Sequence, residues 1–514
     1  MFYSILFPKR EQHDSPTQEV APGFFKDLNL DQVFAPVLES KEAFNLEGFF
    51  FSPLRDPQII VYRQEIMRDL ENAKLRGLIA GFSKSLYSIC QYAAGVRADL
   101  SSYDSSRNNY LTRGRLLNCA EGYCSGIAAL MERLPPLTLH SEGLRGFSDY
   151  IKEYCDSQGF ADLCNETKKL REAFSKIRYC MHIKHGEIKV RKYEGQADYT
   201  EKILTCFEKF RQGDAKSYHH EVPEEPIATH VEAAVLGLLS NQYMHIFSEL
   251  ESFCAKHLRF EDNVISMFSC EVQFYLSWLG FIEPVKNAGL PFCYPFLSEV
   301  IDGLYSADGY DLALAHLIRG GTVVNSFAMD SPEQIIVVTG PNQGGKSTFA
   351  RAFGQMHYLA SLGLCVPGRE AKLYLFDRIY THFGREEDLS TQNGKLHDDL
   401  VRLRALLDDA TGQSIVIINE IFTSTDISNA IILGKQMMDA LVSLRSPAVV
   451  VTFLDELAMH GDETVSMMST VDESDTTRRT FQIVRKPPAG IAYAAHIAGK
   501  YGLTYEQLSG RLTR

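Results

Sequence analysis

Residues Gly340-Pro341-Asn342-Gln343-Gly344-Gly345-Lys346-Ser347 fit the spacing G-x-x-x-x-G-K-[ST] without a gap, and Thr348 follows. Such a combination is suited to holding a polyphosphate. Glycines let backbone N–H groups turn inward around a β-phosphate, and a helix N-terminus behind them adds a favourable dipole. Lys346 would place a point charge on the β- and γ-phosphates, and Ser347 a hydroxyl on Mg²⁺. A second set of candidates lies 74 residues further on (420 − 346), where Asn419-Glu420 closes the apolar run Ser414-Ile415-Val416-Ile417-Ile418. In such sites a strand end of this kind faces the bound metal. Glu420 would polarise the attacking water as general base. Asn419 stands where Asp commonly holds the metal's water shell. It is isosteric but neutral, so the site loses one negative charge beside Mg²⁺, and metal affinity, hydrolysis rate or both should suffer. The residues therefore predict a nucleoside triphosphate site with a weakened hydrolytic half.

These groups need a scaffold, and the flanking sequence supplies one. Gln334–Thr339 is apolar and β-branched and reads as a buried strand, and Phe349–Met356 reads as a helix start. Further strands are predicted over Leu373–Phe376, Ser414–Ile418, Ala448–Phe453, Val465–Val471 and Thr480–Arg485. Helices are predicted over Leu396–Leu407 and Ile491–Tyr501. Strands alternating with helices imply a parallel α/β sheet. The 74 residues between Lys346 and Glu420 leave room for two βα crossings, but not for the larger helical insertion of transporter-type ABC ATPases. Gln507-Leu508-Ser509-Gly510 has letters similar to the ABC signature, but it follows the Asn419-Glu420 strand and reads as a C-terminal helix fragment.

Upstream, residues 56–175 place apolar residues three and four apart, for example over Tyr62–Leu70 and Gly143–Tyr154, the period of a helix. Arg178–Tyr193 alternates about Gly186 and reads as a hairpin. Residues 213–227 hold Pro223 and Pro226 and read as a linker. Helical periodicity resumes over 230–280, and Pro284, Pro291 and Pro295 mark a break before the nucleotide region. Residues 1–50 give no long period.

The chain of 514 residues has room for about three domains. Its 45% hydrophobic and 23% charged content is that of a soluble globular protein. Met1–Arg10 has no basic region ahead of its apolar patch and does not read as a signal peptide. No uninterrupted apolar run approaches the ~18 residues of a membrane span. The expectation is a cytoplasmic protein with no membrane association. The 11 cysteines include no C-x-x-C and read as small buried apolar residues rather than a disulfide framework. His182, His185 and the pair His219-His220 lack partners at ligand spacing. The net charge of −13 excludes a basic coat but not a local basic stripe, at Lys168-Lys169-Leu170-Arg171 or over Lys184–Lys192. Both stretches read first as a solvated helix face or hairpin.

With these pieces in place the chain resembles the MutS family of DNA mismatch repair ATPases. Val338 to Thr348 is similar to that family's T-G-P-N-M-G-G-K-S-T, and Asn419-Glu420-Ile421-Phe422-Thr423-Ser424-Thr425-Asp426 is similar to its D-E-I-G-R-G-T-S. The stretch from Phe481, with Arg485, Gly490-Ile491-Ala492-Tyr493-Ala494 and Tyr501-Gly502-Leu503, resembles its closing S-Y-G-I segment. Arg55–Glu65 resembles the opening of its helical core and lever domain. The resemblance is close over 330–500 and mostly architectural over 50–300. Some family features are replaced. About 50 residues precede the lever-like segment, too few for the α/β mismatch reader with its Phe-x-Glu, and Phe247-Ser248-Glu249 reads as part of a core helix. The loop that meets the partner subunit's nucleotide would be Asp388–Leu396, with Asn393, Gly394 and Lys395 in the contacting positions. Phe453 stands where a switch His is usual, and no nuclease-like tail follows residue 500.

The resemblance implies a multidomain chain. An N-terminal segment (1–50) would precede a mostly helical core and lever domain (51–320) with a hairpin near 178–193. An α/β P-loop ATPase domain of the ABC type (321–514) would follow. It implies ATP and Mg²⁺ as cofactors, with Gly340 to Thr348 on the nucleotide, Ser347 and Asn419 on the metal and Glu420 as catalytic base. It further implies a homodimer through the ATPase domains, slow hydrolysis, and a clamp-like movement of levers on double-stranded or structured DNA. A nucleotide-gated protein-binding clamp or scaffold that never touches DNA is the alternative.

Overall fold

The computed structural model describes residues 2–13, 20–101, 109–184, 187–196, 230–384, 394–472 and 478–488, with residues 202, 205, 206 and 509. Contacts divide them into two compact units, one of residues 77–138 and 146–269, the other of residues 2–76, 139–145 and 270 onward. These units cut across the boundaries drawn at 50/51 and 320/321. Residues 57–70 and 270–287 are helical, yet they pack with the α/β part, as the bond from Arg63 Nη1 to Leu362 O illustrates.

The first unit is built on helices, among them Asn109–Arg133, Gln158–Ser175, His230–Gln242 and Met244–Lys256. Ser157 starts one of them by accepting a hydrogen bond from Phe160 N, the capping that Ser supplies to an orphaned backbone donor. The predicted hairpin is observed as strands β1 (Tyr179–Lys184) and β2 (Glu187–Lys192), paired antiparallel with Tyr179 opposite Lys192. Side chains alternate along a strand, so Tyr179, Met181 and Val190 share one face and Cys180, His182, Lys189 and Arg191 the other. Val190 packs with Val235, Leu239 and Phe247, while His182, Lys189 and Arg191 are exposed. Phe247 of the Phe-Ser-Glu triplet is thus a core residue of helix Met244–Lys256.

Among the described residues of the second unit, ten strands form the two larger sheets that position the candidate site. They begin with β3 (Phe296–Ser298), β4 (Leu304–Gly309), β5 (Asn325–Met329), β6 (Ile335–Thr339) and β7 (Glu370–Tyr374). There follow β8 (Ile379–Phe383), β9 (Ile415–Asn419), β10 (Ala448–Val451), β11 (Thr464–Val471) and β12 (Arg479–Arg485). One sheet has the order β8-β9-β10-β6-β11-β12, parallel except for the β11–β12 pair, and a smaller one has the order β3-β7-β4-β5. β6 and β10 are buried at every residue, as β-branched runs in the middle of a covered parallel sheet should be. The predicted strand at 373–376 is displaced towards Glu370–Tyr374, and β8 carries Thr381 and the buried His382, which hide it from an apolar scan. Helix Leu396–Leu407 is observed as Lys395–Asp409; the helix expected over Ile491–Tyr501 lies outside the described residues.

Residues 2–13 and 20–51 pack tightly in spite of having no period. Phe25 meets Tyr358 edge-on at 5.1 Å, and Phe50 stacks on Phe274 at 4.5 Å. Arg63, 1% exposed, donates from Nε to Leu6 O (3.1 Å) and from Nη1 to Leu362 O (3.2 Å). The rings of Phe7 and Phe274 lie 4.8 and 5.0 Å from its guanidinium, and burial pushes its pKa down to about 10. Glu271 accepts from Ser4 Oγ and Ile5 N. Helix Asn263–Asn287 is long and apolar enough to cross a membrane, but 72% of its most apolar window is buried within the protein.

Candidate functional site

β6 delivers the chain into the glycine-rich turn, and helix Lys346–Ser361 carries it away. Each glycine has a physical reason. Gly340 and Gly345 take φ of 110° and 90°, open to glycine and strained for other residues. Gly344 lies against Ser469 of β11, whose Oγ donates to its carbonyl at 2.7 Å; a Cβ there would stand 2.1 Å from that oxygen. The helix begins on Gly345 with no side-chain cap, leaving backbone donors of its first turn aimed out of the helix.

Lys346 is 4% exposed, and its Nζ donates to Gly340 O (2.9 Å), Pro341 O (3.2 Å) and Asn342 Oδ1 (3.4 Å). Burial lowers its pKa; the positive charge of Arg479 lowers it further, and Glu420 opposes both. The ammonium is thus held by backbone carbonyls and one amide oxygen at the mouth of the turn.

Gln343 to Thr348 line a cleft of about 470 Å³ together with Glu420, Phe481 and the apolar residues Leu314, Ile318 and Val323. Gly340, Pro341 and Asn342 stand behind it as the seat of the Lys346 ammonium. Leu314 and Ile318 come from helix Leu312–Ile318, which Asp311 caps by accepting from Leu314 N. Gln355, on the helix that follows the turn, is fully buried and donates to that same Asp311 carboxylate (2.9 Å) and to Leu28 O (2.8 Å). The apolar wall and the phosphate-type turn are thereby tied to one helix.

β9 ends at the opposite side. Glu420 is exposed into the cleft with φ of 56°, and its N–H donates to Val451 O. Asn419 Oδ1 is buried and has no hydrogen-bond partner. A buried acceptor left without a donor is costly unless something absent satisfies it. A hydrated divalent cation fits that vacancy chemically, with Ser347 offering a hydroxyl from the other wall. Of the expected partner-facing positions, Asn393 lies outside the described residues. Gly394 and Lys395 begin helix Lys395–Asp409 and do not line the cleft.

Sequence reading missed the contributions of Ser469, Asn325, Arg479 and the apolar wall. Phe481 alone among these is marked in the sequence, as part of the closing segment. The Arg478-Arg479 pair at the start of an alternating strand was the one visible signal for a cation here.

Residues 336–508 match the family model for MutS domain V. The chain is 32% identical over 202 residues to an endonuclease MutS2 of Thermus thermophilus, covering 39% of this chain and 27% of that protein. It is 22% identical over 415 residues to a DNA mismatch repair protein MutS of Shouchella clausii, covering 76% of this chain and 45% of that one. A MutS of an Exiguobacterium species is 32% identical over 127 residues, or 25% and 15% of the two chains. The chain thus spans less than half the length of these relatives.

Proposed function

The chain belongs to the MutS family through residues 336–508, and we propose that it is an ATP-driven switch that acts on DNA. ATP and Mg²⁺ occupy the cleft. The turn Gly340–Gly345 cradles the phosphates, Lys346 leaves its carbonyl seat for the β- and γ-phosphates, and the nucleobase end meets the apolar wall. Ser347 and Asn419 hold the metal, which supplies charge neutralisation on the phosphates when bound. Glu420 orients and deprotonates the attacking water. With a neutral Asn419 the hydrolytic step is slow, so ATP-bound states are long-lived. Two copies meet through their ATPase domains, and ATP favours one arrangement of the helical levers because it binds that arrangement better.

The observation that carries this reading is the convergence in one cleft of Lys346, Ser347 and Glu420, with the unpartnered Asn419 oxygen at the end of the same strand as Glu420. DNA as the partner is supported by the names of the relatives and by the exposed His182, Lys189 and Arg191 on one face of the β1–β2 hairpin, in a chain whose net charge is −13.

The test is binding to homoduplex, mismatched and branched DNA across a salt series, with and without ATP, and with Lys346→Ala as control. Phosphate contacts release counterions, so DNA binding should fall steeply with salt and shift with nucleotide. No binding at low salt, with ATP uptake intact, would move the assignment to a clamp for a protein partner.

A further inference from the structure

We propose that Gln355 is a positioning residue for the nucleotide: it fixes the apolar wall of the cleft at one distance from the glycine-rich turn, and so matches the site to a nucleoside joined to its phosphates. This rests on the ATP reading above and deepens it, because affinity for the base end then depends on a side chain that does not line the cleft.

Gln355 lies on helix Lys346–Ser361, nine residues after Lys346 (355 − 346), or about 13 Å along the helix axis. It is fully buried, which is costly for an amide unless its polar atoms are all paired. Here they are. Its Oε1 accepts from Leu312 N (2.8 Å), and its Nε2 donates to Asp311 Oδ1 (2.9 Å) and to Leu28 O (2.8 Å). A backbone N–H can only donate and a carbonyl can only accept, so the amide fits in one orientation. Two of the three bonds go to the start of the wall helix Leu312–Ile318. Leu312 N is one of the donors that a helix start leaves without a partner in the helix, and Asp311 takes another, Leu314 N at 3.2 Å. The next residue, Met356, confines the chain that enters this helix. A Cβ on Gly309 would stand 2.9 Å from its Sδ, so that chain has no room to move closer.

The wall then runs along the cleft through Leu314 and Ile318 to Thr322 and Val323. At its far end Asn325 donates to Phe481 O (3.2 Å) and accepts from Ile483 N (2.7 Å). Between these ties Leu314, Leu317 and Ile318 are 36%, 78% and 45% exposed, so no packing covers the wall on that side. Asn325 ties the wall to β12, whereas Gln355 ties it to the helix that carries Lys346 and Ser347. A nucleoside triphosphate needs both the turn and the wall, in register. A bare polyphosphate needs the turn alone. Loss of the Gln355 tie should therefore weaken the first ligand and spare the second.

The experiment is calorimetric titration of the full chain in Mg²⁺ with ATP and with inorganic tripolyphosphate. The variants are Gln355→Met, Asp311→Ala, Asp311→Asn and Lys346→Ala, beside the wild type. Gln355→Met keeps the side-chain length but leaves Leu312 N, Leu28 O and the Asp311 carboxylate without this partner. It should weaken ATP binding about tenfold or more while tripolyphosphate binding changes by less than about threefold. Asp311→Ala should show the same split on a smaller scale, and Asp311→Asn, which keeps an oxygen for both donors, should recover part of it. Equal losses for the two ligands would overturn the proposal, because Gln355 would then support the fold and not the spacing. Unchanged ATP affinity would overturn it as well. If Gln355→Met does not fold, the two Asp311 variants make the same comparison. Lys346→Ala that still bound both ligands as the wild type does would defeat the ATP reading itself. Lys346→Ala that lost both, beside equal losses in Gln355→Met, would defeat only this inference.

Discussion

In the glycine-rich half of the cleft, Gly340 and Gly345 take φ of 110° and 90° with no side chain to strain. In the half that follows β9, Glu420 and Phe422 take φ of 56° and 61° with full side chains in place. Such residues cost of order 1–3 kcal/mol each and persist where the surroundings over-determine them, commonly at functional positions. The glycine-rich half holds one such residue, Gln343 at φ of 60°, and gives its other left-handed positions to glycine. The other is strained, keeps its carboxylate and has exchanged a neighbouring charge for a neutral amide with an unsatisfied oxygen. The contrast divides the proposed work: the first half binds, and the second carries a slowed chemical step.

Substitutions can break that division or sharpen it. The largest effect is expected from Glu420→Gln, which should lower ATP turnover by about 10²–10⁴-fold while nucleotide affinity stays within about twofold. Single-turnover hydrolysis beside equilibrium titration checks this, and a parallel loss of affinity would mean that the two halves are not separable. Lys346→Ala should weaken nucleotide binding about a hundredfold, because several charge-assisted contacts go together. Retention of the wild-type melting temperature would assign the loss to the site rather than to the fold. Asn419→Asp should act in the opposite direction and raise turnover about tenfold with tighter Mg²⁺ dependence. An unchanged rate would remove the charge explanation for slow hydrolysis.

The last prediction concerns stability and leaves the cleft untouched. His357, in the helix that follows the glycine-rich turn, is fully buried and donates from Nδ1 to Phe353 O at 2.8 Å. Burial lowers its pKa from 6.5 to about 4. A histidine kept neutral in the fold is protonated first in the unfolded chain, so its contribution is complete above pH 6.5. It is lost as pH falls towards 4, by roughly 3 kcal/mol in all. Thermal unfolding between pH 7 and 4 should show this slope, and His357→Gln should flatten it.

Legibility followed the range of the interactions. The turn Gly340–Ser347 could be read because its constraints act within eight consecutive residues, and β9 because four buried β-branched residues in a row have few other fates. The wall that completes the cleft was hidden because its positions depend on distant partners: Asn325 bonds to Phe481, 156 residues away, and Gln355 to Leu28, 327 away. The strand over 480–485 was foreseen, but its bulge depends on Thr470 and Asn325, which no local period signals. β8 escaped because His382, buried to 1%, is matched by Asp399 only once the helix Lys395–Asp409 has docked. Residues 20–51 carry no readable period because their aromatic residues meet at irregular spacings, as Phe25 meets Phe34 and Phe51, and pack on the distant Tyr358 and Phe274.

Synthesis on the ribosome gives the segment Ser4–Phe7 an unusual wait. Its partner Glu271 is made 267 residues after Ser4, and the Leu362 carbonyl that shares Arg63 with Leu6 is made 299 residues after that arginine. At translation speeds of about 5–20 residues per second, Ser4 precedes Glu271 by roughly 15 to 50 s. Throughout that interval Ile5, Leu6 and Phe7, all buried in the finished fold, have only nearby partners such as Phe49, Tyr62 and Arg63 to meet. The nascent chain thus presents a short apolar strip to the cell for most of its own synthesis, a natural handle for a chaperone and a point where slow translation would favour aggregation.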